Sequence, residues 1–284
     1  MSVPPAVHAW CRQHGHGDIS RVELVAGGCI NQGARVHTDS GASFFLKVNP
    51  AAPQDMFARE AEGLQALRQG GGPRLPEPYV WSNDFLLTED LAPATTASDY
   101  WSRLGQSLAG LHENHSSRFG FDHDNYIGST PQPNTWTDDG YEFFATHRLL
   151  FQARLAGQRG ALPAGDVSRV EALATKLRDI VPPQPASLIH GDLWSGNVIP
   201  GPAGQACLID PACHYGWAEA ELGMTELFGG FDSEFYAAYT ASRPLPSGWR
   251  DRLPVYNLYH LLNHLNLFGG SYLGSIRRVL DRFA

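Results

Sequence analysis

The stretch His190-Gly191-Asp192-Leu193-Trp194-Ser195-Gly196-Asn197, followed by Leu208-Ile209-Asp210, decides how the rest of the chain is read. Asp192 precedes Asn197 by five positions, and Asp210 follows Asn197 by 13. The runs Ser187 to His190, Asn197 to Ile199 and Ala206 to Asp210 carry a short strand signal around these residues. A hard divalent ion wants oxygen ligands, and one amide oxygen with one carboxylate can hold it against a row of phosphates. Asn197 and Asp210 suit that task. A second carboxylate kept off the ion can orient an acceptor hydroxyl and take its proton; Asp192 suits that one. A chance turn at His190-Gly191-Asp192 with Asp210 as a strand cap is the competing account. It leaves the matched spacing of the polar residues unexplained.

Protein kinases place Asp and Asn at this spacing in their catalytic loop and add a later metal-binding Asp at a strand end. A kinase also aims a strand Lys, held by a helix Glu, at the α and β phosphates. Lys47 ends the strand-like run Phe44-Phe45-Leu46-Lys47, and Glu60 follows in Met56-Phe57-Ala58-Arg59-Glu60. Glu62 competes as the Lys47 partner, and an isolated Lys–Glu pair is more often a solvated surface contact. Between the first strands lies Gly27-Gly28-Cys29-Ile30-Asn31-Gln32-Gly33. A glycine-rich turn lets backbone N–H groups approach phosphate, although a plain hairpin turn is about as good a reading. Glu89 and Leu91 close the β-rich part, where backbone groups would meet an adenine edge or serve as an ordinary linker. The cofactors expected from this pattern are ATP and Mg²⁺.

Around these motifs the chain divides in two. Val22 to Ala26, Ala34 to Thr38, Ser43 to Val48 and Phe85 to Glu89 read as strands, with a helix over Gln54 to Gln69 that stops at Gly70-Gly71-Gly72-Pro73. Beyond Ala92-Pro93-Ala94 the pattern is mainly helical: Trp101, Leu104, Leu108 and Leu111 recur at helical spacing, as do Val255, Leu258, Tyr259, Leu262 and Leu265. The expectation is an α+β, two-lobed fold. Residues 1–91 form a β-rich nucleotide-binding lobe, residues 92–284 a mainly helical catalytic and substrate-binding lobe, and the ligand cleft lies between them.

The 284 residues have a net charge of −8. That disfavours a nucleic-acid partner, which needs a basic face. No run approaches the 18 or so apolar residues of a membrane span, and Met1 to Gly17 lacks the apolar segment of a secretory signal. The four cysteines, Cys11, Cys29, Cys207 and Cys213, show neither CxxC pairing nor zinc spacing. A reduced, cytoplasmic setting is expected.

The sequence resembles the fructosamine-3-kinase (ketosamine-3-kinase) family, which is related to aminoglycoside phosphotransferases and choline kinases. The resemblance covers nearly the whole chain. It rests on Gly27 to Gly33, Met56-Phe57 with Glu60, Phe119-Gly120-Phe121-Asp122, Gln132-Pro133-Asn134 with Trp136, and His190 to Asn197. It continues in Asp210-Pro211-Ala212, Leu227-Phe228-Gly229-Gly230-Phe231 and Leu262-Asn263-His264-Leu265-Asn266. The resemblance implies a protein-kinase-like fold and ATP-dependent phosphorylation of the 3-hydroxyl of a ketosamine, protein-bound or free. The unstable product would release the amine, a deglycation repair; bacterial-type relatives often favour ribulosamines or erythrulosamines. By position, Asp192 would be the base, Asn197 and Asp210 the metal ligands, and Lys47 the phosphate holder with Glu60 as its partner. Trp194 would stack on the sugar or pack in the core. His264, with Asn263, would line the acceptor pocket or be a satisfied core polar group. Some relatives with Cys at the position of Cys29 form redox-sensitive disulfide dimers; the alternative is an inert turn residue.

Two departures stand out. Many relatives read G-x-R-E-x-D-L-A after the metal Asp, whereas here Gly216 to Gly223 has Ala218 for the Arg and Glu221 for the Asp. This places any loop-bracing ion pair there in question. Other acceptors of the same superfold, an aminoglycoside or choline, remain alternatives. So does a non-catalytic nucleotide-binding protein, against which the intact Asp192, Asn197 and Asp210 argue.

Overall fold

The computed structural model describes residues 1–25 and 31–284. Gly28, Cys29 and Ile30, named above for phosphate contact and redox pairing, lie outside the described residues.

The first part runs α1 (Pro5–Gln13), β1 (Ile19–Val25), β2 (Gln32–Thr38), β3 (Ser43–Val48), α2 (Met56–Leu67), β4 (Pro78–Trp81) and β5 (Phe85–Glu89). Its strands pair antiparallel in the order β1-β2-β3-β5-β4. Side chains alternate across a strand, so Val36, Phe44, Leu46 and Val48 turn to one face and pack with Phe85, Leu87 and the α1 residues Val7 and Cys11. Lys47, between Leu46 and Val48, turns to the opposite face, where α2 lies. The sequence shows no clear signal for α1 and β4. Trp10 on α1 stacks on Tyr79 of β4 at 5.0 Å, and this contact joins the two. The helix expected over Gln54 to Gln69 is two residues shorter at each end, at Met56–Leu67, the limits of its apolar residues.

The second part opens with α3 (Tyr100–Leu111), β6 (His115–Ser116), β7 (Asn125–Ile127), β8 (Thr130–Gln132), α4 (Gly140–Phe143), a π-helical turn (Phe144–Leu150), α5 (Phe151–Gln158), α6 (Ala164–Thr175) and α7 (Leu177–Ile180). It continues with β9 (Ala186–Ile189), β10 (Val198–Pro200), β11 (Ala206–Leu208), β12 (His214–Gly216), α8 (Ala218–Leu227), α9 (Ser233–Ser242), α10 (Trp249–Phe268) and α11 (Leu273–Phe283). β10 pairs with β11, and β9 lies between β12 and β6. These small sheets carry the segments of Asp192 and Asp210, and α8 packs against β9. Helix α3 packs on α9 so closely that a Cβ on Gly105 would meet the Phe235 carbonyl at 2.3 Å. Only glycine allows that approach.

One large core unites Phe57, Leu64, Leu67 and Leu86 with Leu104, Leu108, Leu188, Leu208 and Leu262. Helix α2 therefore packs into the helical part as well as against the five-stranded sheet. Polar contacts add to this: Tyr126 donates to Asp55 at 2.6 Å, and His123 meets Glu62 at 2.7 Å.

Candidate active site

Asp192 lies in the turn that follows β9. The turn needs Gly191, whose φ of +84° is in the left-handed region and whose Cβ would stand 2.1 Å from the Ala212 carbonyl. Glycine is the residue that tolerates both. The His190 carbonyl accepts the Ala212 N–H at 2.9 Å, which ties the turn to the segment behind Asp210. His190 is buried; its Nε2 donates to the Ile209 carbonyl at 2.9 Å and its Nδ1 accepts the Asp192 N–H at 3.3 Å. Burial holds this ring's pKa down, so it is neutral and its two bonds fix its tautomer.

Asn197 is equally fixed. Its Nδ2 donates to the Asp192 carbonyl at 2.8 Å and to Asp192 Oδ2 at 3.3 Å, and its own carbonyl accepts the Ile209 N–H at 3.1 Å. The Asp192 turn and the Asp210 segment are thereby stitched together. Asp210 has a φ of +58°, uncommon for a residue other than glycine; such backbone is held where function requires it. Its half-exposed carboxylate pairs with Lys47, whose other partner is Glu60.

The charges of the cluster act on one another. Burial and the neighbouring Asp210 carboxylate push Asp192 up to about 7, against the opposing hydrogen bond from Asn197. Burial alone would lower the Lys47 pKa, but the Asp210 and Glu60 carboxylates outweigh it and hold the ammonium charged. Glu60 is raised by burial and by Asp210 while Lys47 opposes. Glu62, the alternative partner of Lys47, is committed to Arg59 at 2.8 Å and to His123.

Gly33 on β2 stands directly across from Lys47 on β3, and a Cβ there would meet the Phe45 ring at 2.9 Å. Gln32 pairs with Val48, and the Asn31 side chain accepts from Asn49 at 3.1 Å. The Glu89 side chain pairs with Arg74, and its N–H donates to the Glu77 carbonyl at 2.8 Å. Leu91 is buried. Trp194 is 37% exposed, which removes the core-packing account. Its ring stands edge-on to Phe228 at 6.3 Å. His264 is half-buried, donates from Nδ1 to the His260 carbonyl at 2.8 Å, and its ring lies 4.6 Å from that of Phe228. Asn263 is buried against Gln152 and is a core polar group.

Four residues support the site in roles that the sequence reading did not assign. Glu221 on α8 braces the turn that carries Asp192: Oε2 accepts the His190 N–H at 2.8 Å and Oε1 the Gly191 N–H at 2.7 Å. Burial opposes its ionisation, but the His112 bond and these N–H groups hold its pKa below the usual carboxylate range. The brace put in doubt by the Asp-to-Glu departure therefore exists, made to backbone rather than to an arginine. Gln132 donates to the Ala212 carbonyl at 3.0 Å, and Asn125 to that of Cys213 at 2.8 Å; both hold the chain after Asp210. The buried Arg148, on the π-helical turn, fixes this layer by donating to the Pro133 carbonyl at 2.6 Å and to Asn134 at 2.7 Å. The Gln132-Pro133-Asn134 motif was the available signal for that layer.

The fructosamine kinase family profile matches residues 5–284. The chain belongs to the fructosamine kinase family. A protein from Synechocystis assigned as a ketoamine kinase is 42% identical over 266 residues, covering 91% of this chain and 88% of its own. A chloroplastic protein-ribulosamine 3-kinase of indica rice is 39% identical over 275 residues, covering 93% of this chain and 79% of its own. The crystal structure of a fructosamine-3-kinase-type protein from Thermobifida fusca superposes with a TM-score of 0.89 at 34% identity, covering 98% of both chains. Membership fits the kinase-like pairing of a Lys–Glu ion pair with the Asp192, Asn197 and Asp210 cluster. No helix among the described residues is long and apolar enough to cross a membrane.

Proposed function

We propose that this chain transfers the γ-phosphoryl group of ATP to the 3-hydroxyl of a ketosamine, with Asp192 receiving the hydroxyl proton. The convergence of Asp192, Asn197, Asp210 and Lys47 from separate elements on one site carries the reading. Asp192, raised to about 7, is matched to proton transfer near neutral pH. Phosphoryl transfer asks mostly for positioning and charge stabilisation, so a modest base in a rigid turn is sufficient.

The residues present fit Mg²⁺. Asn197 commits its Nδ2 to Asp192, which leaves Oδ1 as a donor, and Asp210 adds a half-exposed carboxylate. Among the described residues no group of three or more His, Cys, Asp or Glu could hold a metal; a mixed site of one amide, one carboxylate and phosphate oxygens suits a hard ion. The ion would neutralise charge on the phosphates. Lys47, aimed by Glu60, would take a phosphate oxygen. Gly28 to Gly33 would cover the phosphates, and backbone groups near Glu89 and Leu91 would take the adenine edge. Residues 1–91 would act as the nucleotide lobe and residues 92–284 as the catalytic and acceptor lobe. Trp194 would stack on the sugar, with the Nε2 face of His264 beyond it.

The setting proposed is the cytoplasm, where deglycation would repair protein-bound or free amines. A redox-sensitive homodimer through Cys29 would be visible there as a shifted band on a non-reducing gel. ADP release with Mg-ATP tests the activity against ribulosamine, erythrulosamine, fructosamine, choline and aminoglycoside acceptors. Turnover is expected with the ketosamines; turnover confined to choline or an aminoglycoside would overturn the reading.

A further inference from the structure

A cavity of about 340 Å³ lies where the two parts of the chain meet, and none of Lys47, Asp192, Asn197 and Asp210 lines it. The loop over 71–74, between α2 and β4, forms one wall. Helix α3 forms a second, and Gln205 with Ala206, at the start of β11, forms the third.

The lining selects an occupant by its charge and by its shape. Its charged residues are Arg74 and Arg103, and among the described residues no Asp or Glu lines it, in a chain whose net charge is −8. Both guanidiniums have donors to spare. Arg103 is mostly exposed, and its Nε meets Asp99 at 2.6 Å. A surface pair of this kind contributes little, and the terminal nitrogens of Arg103 are left for a stronger anion. Arg74 gives one terminal nitrogen to the Leu75 carbonyl and the other to Glu89, and each of these nitrogens carries a second N–H. Forked guanidinium donors match phosphate oxygens. The uncharged polar walls are Gln106, Gln205 and Ser107. Ser107 Oγ donates to the Leu104 carbonyl at 3.1 Å and keeps its lone pairs. Amides and a hydroxyl suit the hydroxyls of a sugar. No aromatic ring lines the cavity, so a nucleotide base would find nothing to stack on, and an inorganic phosphate would leave the amide walls unused.

Arg74 ties this cavity to the reaction centre. Its side chain holds Glu89, beside the backbone proposed to take the adenine edge. Its carbonyl accepts the Leu208 N–H at 2.8 Å, two positions before Asp210. We propose that the cavity is an effector site for a phosphorylated sugar, whose phosphate draws Arg74 from Glu89 and weakens ATP binding. Occupation of the cavity is independent of the proposed reaction; the effect on ATP rests on that reading's placement of the adenine edge.

Calorimetry on the full chain tests the site with ribose 5-phosphate, ribose and inorganic phosphate. Ribose 5-phosphate is expected to bind about tenfold more tightly than phosphate, and ribose not at all. Arg103→Gln is expected to weaken ribose 5-phosphate about tenfold, the scale of one charge-assisted hydrogen bond, with Arg103→Lys between the two. Equal binding by wild type and Arg103→Gln overturns the site. Binding of phosphate or of ribose as tight as that of the ester overturns the ligand class. A non-hydrolysable ATP analogue with Mg²⁺ is then titrated with and without saturating ribose 5-phosphate. Its Kd is expected to rise about fivefold or more in wild type and to rise less in Arg103→Gln at the same concentration. An unchanged or lower Kd overturns the effector role, and so does an equal rise in the variant, which would mean competition within the cleft. If the analogue bound to neither protein, the proposed function would fall and the effector role with it, while the cavity would still be judged by the first titration.

Discussion

Glu221 Oε1 accepts the backbone N–H of Gly191 at 2.7 Å, so a buried side chain of α8 holds the turn that presents Asp192. The second oxygen takes the His190 N–H, and the carboxylate also meets His112 Nε2 at 3.1 Å. A carboxylate can accept from all three. Glu221→Gln places an amide donor among donors and leaves at least one buried group unsatisfied, a cost of about 1–3 kcal/mol. Turnover is expected to fall by about ten- to a hundredfold with little change in KM for ATP, together with a lower melting temperature. Steady-state kinetics and a thermal melt check both.

Asp192 supplies a pH-dependent signature. Its pKa is raised in the folded chain, so the native state binds a proton more tightly than the unfolded state does. The associated stability is present at low pH and is lost as pH rises from about 4 to about 7. A shift of this size corresponds to roughly 2–4 kcal/mol. Asp192→Asn removes the buried charge. The variant is expected to melt above wild type at pH 8, to match it near pH 4, and to lose about a thousandfold or more in turnover while still binding ATP. Melting curves across pH and a nucleotide-binding titration test this.

Asp210→Asn should act on two observables. The substitution removes a hard anionic donor, so the Mg²⁺ dependence of turnover is expected to collapse. It also removes the negative charge that helps hold Asp192 high, so the Asp192 titration is expected to move down from about 7. Carboxyl-carbon NMR of the ligand-free variant reads the second effect without any catalysis.

Two glycines of similar φ separate strain from crowding. Gly160 has φ of +71° and open space where a methyl group would go, whereas Gly191 has φ of +84° and the Ala212 carbonyl in the way. Gly160→Ala is expected to cost about 1 kcal/mol. Gly191→Ala should cost several times as much, on the order of 3 kcal/mol or more, and abolish turnover. Urea denaturation of the two variants gives the comparison.

The candidate residues were legible in the sequence because most of them sit in short motifs of fixed spacing. Asp192 and Asn197 share one turn, and strand alternation sets Lys47 on the face opposite Leu46 and Val48. Glu60 rather than Glu62 partners Lys47 because Glu62 has nearer partners in Arg59 and His123. The supports were illegible for the opposite reason. Glu221 lies 31 positions from His190, and Gln132 lies 80 from Ala212; no periodicity links residues so far apart. The Asp-to-Glu change at 221 looked like a missing brace, yet the longer side chain still delivers two oxygens to the same turn. Helix α1 was also hidden: Pro5 stands at its first position, where proline is favoured, but its buried apolar signal is only Val7 and Cys11.

The bond from His112 to Glu221 does not end there. His112 Nδ1 meets the Tyr239 hydroxyl at 2.7 Å, so one chain of polar contacts leads from the catalytic turn to the crossing of α3 and α9. That crossing depends on bare backbone at Gly105, where a Cβ would meet the Phe235 carbonyl at 2.3 Å. The turn that carries Asp192 is therefore nailed to a joint between two other helices. Loosening that joint, by heat or by added bulk, would dull the chemistry before the cleft itself came apart.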